Sequence, residues 1–450
     1  MKRPLINDDK QPITVHTISR DEHNITRKHI SPAALKVMYQ LNEAGFESYL
    51  VGGGVRDLLL GGRPKDFDVA TNATPEQVRS VFKNSRIIGR RFKIVHVRFG
   101  REIIEVTTFR GDSQVKGAPS NIKHKNNKMQ QSDEGMLLRD NVYGGTIEDD
   151  AMRRDFTINA LYYTVQGFAI LDHCDGIKDL KQQQIRMIGD PETRYREDPV
   201  RMLRAARFAA KLDFEIEPRT ADPIHDLGYL LGDISSARLF DESLKLLMGG
   251  YGQAVFTQLQ QLDLFSKLYP ATQQCIDDAP QRTAALLEEA LKNTDRRIAQ
   301  EKPVTPAFIY AALLWPVVQQ LVDKTTDNAP PSQALQQAAD QAIRQQITNT
   351  AIPKRFSIAM REIWDMQIRL EDRPGNRVYS ILSHPRFRAS YDFLLLREQA
   401  GESLSEPCQW WTEIQNVDDD KKDSMINALG SQPKKRRRKP KKKDSPPADK

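Results

Sequence analysis

The sequence predicts an α+β head followed by a mostly α-helical neck and body, with a disordered basic C-terminal tail. Three observations predict it. Short strand-like segments alternate with helix signals over the first third of the chain, helix-period patterns dominate from Asp198 onward, and the last twenty residues are chiefly basic. The 450 residues, with 39% apolar and 28% charged side chains, suffice for two to four domains at about 150 residues each. The boundaries expected are a polar extension over 1–30, a head over 31–190, a neck over 191–250, a body over 251–429 and a tail over 430–450.

In the head, Ser31 as N-cap, Pro32 at the first helical position and Gly45 as a stop signal define a first helix. Ser48-Tyr49-Leu50-Val51 reads as a strand running into Gly52-Gly53-Gly54, with a short helix over Val55 to Leu60. Phe67-Asp68-Val69 is strand-like, and Thr74-Pro75-Glu76-Gln77 is a capping box opening another helix. Strands are expected at Ile94–Phe99 and Glu102–Phe109, and a flexible polar loop over Gly111–Gly135. Ile147 to Tyr163 reads as helical, followed by strands at Phe168–Leu171 and Ile185–Ile188. Helices expected further on include Pro199–Leu212, Ala284–Lys292, Ala307–Leu321, Ile358–Leu370 and Tyr391–Glu398.

Bulk properties exclude several classes. Three cysteines without CxxC spacing rule out a disulfide framework and argue against a zinc site. No signal peptide or membrane span is expected: the longest apolar run, Ala307 to Val318, falls well short of the roughly 20 residues needed. A cytoplasmic protein is the expectation. The formal charge is +7, but residues 431–450 carry ten basic and two acidic residues, which leaves −1 for the rest. One short tail makes the protein basic.

Four stretches carry chemistry. A strand entering glycines and then a helix can hold phosphate on backbone N–H groups, with Arg56 adding a bidentate contact, although such a stretch is more often a plain turn. Asp66 and Asp68 are two apart, so on an extended strand they share a face; a divalent cation, Mg²⁺ or Mn²⁺, would relieve their repulsion, although an isolated pair of this kind is more often a solvated strand face. Glu105, on a neighbouring strand, and Asp155, in Arg153-Arg154-Asp155-Phe156-Thr157-Ile158-Asn159, are both open as a third carboxylate. On a helix Asp155 and Asn159 would share a face, as would Arg153 and Thr157. Asp198-Pro199 reads as a helix start with Asp198 as N-cap, which by itself explains the residue. Asp198 and Arg201 would also offer an acceptor beside donors, a pattern that fits the pairing edge of adenine or cytosine.

GGGVRD, KDFDVAT, RRDFTINALYY and REDPVRMLRAARFAAKL, in this order, resemble the bacterial class of template-independent RNA nucleotidyltransferases, which contains CCA-adding enzymes and poly(A) polymerases. The similarity is strongest from Tyr49 to Leu212. ARLFDESLKLLMGGYG, AIPKRF and the basic tail are more like the poly(A) polymerase branch. The resemblance implies that Asp66 and Asp68 bind two Mg²⁺ ions, that Gly52, Gly53 and Arg56 hold the triphosphate, and that Arg153 and Asp155 act at the sugar and active site. Asp198 and Arg201 would read the base, and Glu105 matches a strand acid.

The activity implied is transfer of AMP from ATP to RNA 3′ ends of mRNA and other transcripts, promoting their processing and decay. Its two-metal mechanism has metals ~4 Å apart. RNA-decay factors are expected partners of such an enzyme. The run Lys434, Lys435, Arg436, Arg437, Arg438, Lys439 would tether RNA by counterion release. Lys354, Arg355, Arg361, Arg386 and Arg388 are candidates to guide the strand across the body. CCA addition to tRNA is the alternative within the class. A non-catalytic RNA binder has no need of both the Asp66/Asp68 and the Asp198/Arg201 pairs. A metal-dependent phosphohydrolase would want histidines near the carboxylates, where only His96 stands.

Overall fold

The structure is a computed structural model that describes residues 15–89, 93–111, 142–324 and 330–430. It divides into two compact units, Met1–Gln274 with Leu291–Val304 and Gln345–Ile352, and Cys275–Ala290 with Thr305–Arg344 and Pro353–Lys450. The first unit begins with β1 (His16–Ile18), α1 (Pro32–Glu43), β2 (Ser48–Val51), α2 (Gly53–Leu59), β3 (Asp68–Thr71), α3 (Pro75–Val81), β4 (Ser85–Ile88), β5 (Ile94–Phe99), β6 (Glu102–Thr108) and β7 (Arg110–Gly111). It continues with β8 (Val142–Tyr143), α4 (Ile147–Met152), β9 (Leu161–Tyr163), β10 (Ile170–Asp172), α5 (Gly176–Gln182), β11 (Gln184–Ile185), α6 (Pro191–Glu197), α7 (Val200–Leu212) and β12 (Glu215–Ile216).

Eight strands form one mixed sheet in the order β1-β10-β9-β2-β3-β6-β5-β4. Only β3 and β6 run parallel within it. Local chemistry fixes its helices. The Ser31 side chain accepts from the Ala33 and Ala34 amides, and Gly45, past the helix end, has φ +85°. Val37, Met38 and Leu41 of α1 are fully buried, each contributing about 1.5–3 kcal/mol. Thr74 and Gln77 exchange both bonds of the capping box.

Three expectations change. Within the polar extension expected over 1–30, His16–Ile18 is a strand, β1, that adds to the sheet beside β10. The strand β4 was not foreseen either. Ile147 to Tyr163 is not one helix: α4 stops at Met152, a 3-10 turn follows over Thr157–Asn159, and β9 enters the sheet. The Leu161-Tyr162-Tyr163 run is fully buried between two strands, and a short apolar run of that kind has no period to separate strand from helix. Thr157 bonds Asp179 (2.7 Å), and with α4 ending at Met152 the helix face that Arg153 and Thr157 were expected to share does not form.

Helix α7 has the period it should. Met202, Leu203, Ala205, Ala206 and Ala209 are buried, while Arg201, Arg204, Arg207 and Lys211 recur every three or four residues on another face.

The second unit is helical, with Pro306–Asp323, Lys354–Asp372, Phe387–Gln399 and Ser405–Ile414 among its elements. Part of its core joins Leu370, Tyr391, Leu394 and Trp411. Three of the five basic residues expected to guide RNA sit in ion pairs: Arg361–Asp340, Arg386–Glu362 and Arg388–Asp392. Among the described residues no helix is long and apolar enough to cross a membrane. Lys434, Lys435, Arg436, Arg437, Arg438 and Lys439 lie outside the described residues, as does most of the loop expected at Gly111–Gly135.

Candidate active site

A cavity of about 810 Å³ opens in the first unit, and it gathers Gly52, Gly53, Arg56, Asp66, Asp68, Arg153, Asp155, Asp198 and Arg201. Asp66 lies just before β3 and Asp68 begins it, with buried Phe67 between them. The extended alternation therefore turns both carboxylates to the cavity and the ring to the core. Burial, reinforced by the charges of Glu105 and Asp66 and only partly offset by Arg154, pushes the Asp68 carboxyl up to about 6.

Glu105 does not line the cavity. It pairs in register with Asp68 across the parallel β3–β6 contact, and its Oε1 lies 3.1 Å from His96 Nε2.

Asp155 is a different kind of carboxylate. Its Oδ1 accepts from the Phe156 amide (2.8 Å) and Asn159 Nδ2 (3.1 Å), and its Oδ2 from Arg204 Nε (2.7 Å) and Nη2. Burial raises its pKa, but Arg204 and these bonds prevail and hold it at about 2. Both oxygens are committed within the protein.

Arg56 is likewise committed. It is 2% exposed, donates to Asp57 Oδ1 through Nε and Nη2 (2.8 and 2.6 Å) and to Asn159 Oδ1 through Nη1 (2.6 Å). The expected bidentate contact of Arg56 with phosphate thus has a competitor already in place in Asp57. Arg153 ends α4, and its carbonyl accepts from Arg194 Nη2 (2.9 Å).

Asp198 sits between α6 and α7 and is not the formal N-cap of α7, which is Pro199, although Asp198 Oδ1 still accepts from the Val200 amide (3.3 Å). Its Oδ2 accepts from Arg238 Nη2 (2.8 Å). Arg201 Nη1 donates to the Arg194 carbonyl (2.9 Å) and to Glu197 (3.2 Å). The two line one cavity while bonding to separate partners.

Gly52 has φ +69° and ψ −137°, a conformation other residues avoid. A Cβ there would stand 3.3 Å from Arg154 Nη1.

Motif reading missed much of the basic wall. Arg63, Lys65, Arg154, Arg204, Arg207, Lys211 and Arg238 also line the cavity, giving ten basic against six acidic side chains, a net of +4. The ring of Phe208 carries three guanidinium groups, of Arg56, Arg204 and Arg207, at 5.1, 5.5 and 4.6 Å from its centroid. The three- and four-residue spacing of Arg201, Arg204, Arg207 and Lys211 was the available signal. No spacing points to Arg238, which comes from a later helix.

A mixed-sheet head with a carboxylate pair beside a glycine turn, opening into a cationic cavity, defines a nucleotidyltransferase. Residues 48–186 match the family described as the poly A polymerase head domain, residues 213–276 the probable RNA and SrmB-binding site of polymerase A, and residues 327–443 the polymerase A arginine-rich C-terminus. The chain is 48% identical to poly(A) polymerase I of Escherichia coli O6:H1 over 94% of its length and 91% of the relative's. To the CCA-adding enzyme of Lactobacillus johnsonii it is 39% identical, over 50% of this chain and 52% of that one. A crystal structure of a tRNA nucleotidyltransferase with a primer tRNA and an incoming ATP analogue shares the fold: TM-score 0.57 at 19% identity, covering 84% of this chain and 99% of that one. The chain belongs to the poly(A) polymerase I family.

Proposed function

We propose that the protein is a template-independent adenylyltransferase that adds AMP from ATP to RNA 3′ ends, working on mRNA and other transcripts. The observation that carries this reading is the single cavity that unites Asp66 and Asp68 with Asp198 and Arg201. A likeness to poly(A) polymerase I over nearly the whole chain, against half of it for a CCA-adding enzyme, favours adenylation over CCA addition.

The carboxylates suit a divalent cation. Asp68 is half-buried and crowded by two further acids, so as an anion it is short of positive charge. Among the described residues no group of three or more His, Cys, Asp or Glu side chains is arranged to hold a metal ion. Mg²⁺ does not need one, since it commonly takes one or two carboxylates and completes its shell with water and substrate phosphates. Asp66 and Asp68 would hold Mg²⁺, which when bound activates a hydroxyl and neutralises phosphate charge. Both candidates for a third acid stay open: Glu105 is in register with Asp68 but lies outside the cavity beside His96, and Asp155 lines the cavity with its oxygens occupied.

The protein's own groups do the rest. Gly52 and Gly53 bring backbone close to the triphosphate, and the cationic wall balances its charge. Asp155 anchors Arg204 and, through Asn159, Arg56. Asp198 accepts from an amino group of the base, and Arg201 donates to a ring nitrogen, a pairing that admits adenine. The same reading assigns base recognition to residues 191–250, RNA to residues 251–429 and the basic tail, and a cytoplasmic setting with RNA-decay factors. The family description of residues 213–276 as a probable RNA and SrmB-binding site supports RNA binding and a protein partner.

The test is extension of labelled single-stranded RNA with Mg²⁺ and each nucleoside triphosphate separately. ATP alone should give a long ladder that disappears on chelation. A short product requiring CTP and ATP would favour CCA addition, and no extension with any nucleotide would favour a non-catalytic binder.

A further inference from the structure

Tyr162 carries no role in the motif reading, yet it stands in the same cross-strand row as the carboxylates. It pairs with Val51, Val51 with Asp68, and Asp68 with Glu105. Directly paired residues point to one face of a sheet, so Tyr162 and Asp68 share a face. The Tyr162 ring is fully buried in the head core beside Val51, Ala70 and Phe109.

Its hydroxyl has two partners. Arg154 Nε donates to Tyr162 Oη (2.8 Å), and Tyr162 O–H donates to Asp150 Oδ2 (2.8 Å). Arg154 Nη2 closes the triangle on Asp150 Oδ2 (3.2 Å), and Nη1 reaches the Asn159 carbonyl (3.4 Å). A guanidinium has five donors in a rigid plane, so fixing it from behind at Nε and Nη2 fixes where Nη1 points. Nη1 fills the space beside Gly52, where a Cβ would stand 3.3 Å away. Arg154 lines the cavity, and its charge acts on Asp68.

We infer that Tyr162, with Asp150, is a positioning residue for the nucleotidyl transfer: it locks the Arg154 guanidinium between the glycine turn and the carboxylate pair. This deepens the proposed function and rests on it. It also gives Gly52 a second reason to be glycine, since the Arg154 guanidinium packs where a side chain at that position would begin. Losing a buried hydrogen bond to a charged group corresponds to about a ten- to hundredfold change.

The test is a double-mutant cycle in the full-length protein, with kcat and KM for ATP measured on a fixed RNA primer and thermal unfolding followed in parallel. Tyr162→Phe keeps the ring and removes only the hydroxyl. It should lower kcat/KM for ATP about tenfold or more, largely through KM, without changing RNA affinity. In an Arg154→Ala background the same substitution should cost nothing further, because its effect passes through Arg154. Asp150→Asn provides a second variant with the same expected dependence on Arg154. Losses that multiply with that of Arg154→Ala, or an unchanged kcat/KM in Tyr162→Phe, would overturn the inference while leaving the adenylyltransferase reading intact. Wild-type protein that extends no RNA would instead overturn the reading beneath it.

Discussion

Asp155 and Asp68 stand in adjoining motifs of one cavity and have opposite electrostatics. Asp155 is held at about 2 by Arg204 and its hydrogen bonds despite burial, whereas burial and like charge lift Asp68 to about 6. Asp155 is thus built to stay ionised as an internal anchor. Its folded pKa lies below the ordinary carboxylate value, so its stabilisation is full above about pH 4 and is lost as pH falls toward about 2. Asp155→Asn should cost about 2 kcal/mol or more at pH 7, and urea unfolding at several pH values should show the gap from wild type narrowing below pH ~4. Asp68→Asn is expected to lower transfer by about a hundred- to thousandfold or more, with the melting temperature not reduced, because it removes a crowded, half-buried anion. Near-normal activity in a folded Asp68→Asn variant would refute its assigned role. These carboxylates were legible in the sequence as candidates, but their division of labour was not. The ion pair that decides it joins residues 49 positions apart, and no local spacing encodes that contact.

At the scale of elements, the strand–glycine–helix unit from β2 to α2 and the helix α7 supply much of the cavity wall around the carboxylates. The turn was legible because glycines between a strand and a helix have few alternatives. The reason for Gly52 was not, since it combines a positive φ with the close approach of a side chain a hundred residues away. Gly52→Ala should destabilise the head by about 1–3 kcal/mol in denaturant unfolding and also reduce kcat/KM for ATP. An alanine there that reduces stability alone would confine the role of Gly52 to backbone conformation. β9 escaped the sequence reading because three buried residues carry no period, and the helical pattern before it masked the change. α7 was legible as a helix from its buried stripe. Its second stripe, of basic residues, had the same spacing and acquires meaning only opposite Asp155, Asp57 and the glycine turn.

For the whole molecule, net charge proves a poor guide to where nucleotide is held. Without the last twenty residues the chain is nearly neutral at −1, yet the cavity wall alone carries +4. Cationic side chains outnumber acids where a triphosphate would need them, and the balance is reversed over the rest of the chain before the tail. The tail is a separable source of charge. Truncation after Gly430 should weaken RNA binding and reduce the log–log salt slope by about 4 if ~6 charges engage single-stranded phosphates. The rate at saturating RNA should stay unchanged, and an unaltered salt slope would dismiss the tether. The central claim is that this cavity selects ATP and transfers its AMP to RNA. The most direct measurement is the ratio of kcat/KM for ATP to that for CTP, GTP and UTP on one RNA primer, in wild type and in Asp198→Ala. The account predicts a strong preference for ATP over GTP and UTP that collapses in Asp198→Ala, whereas a preference over those two that survives the substitution would contradict it.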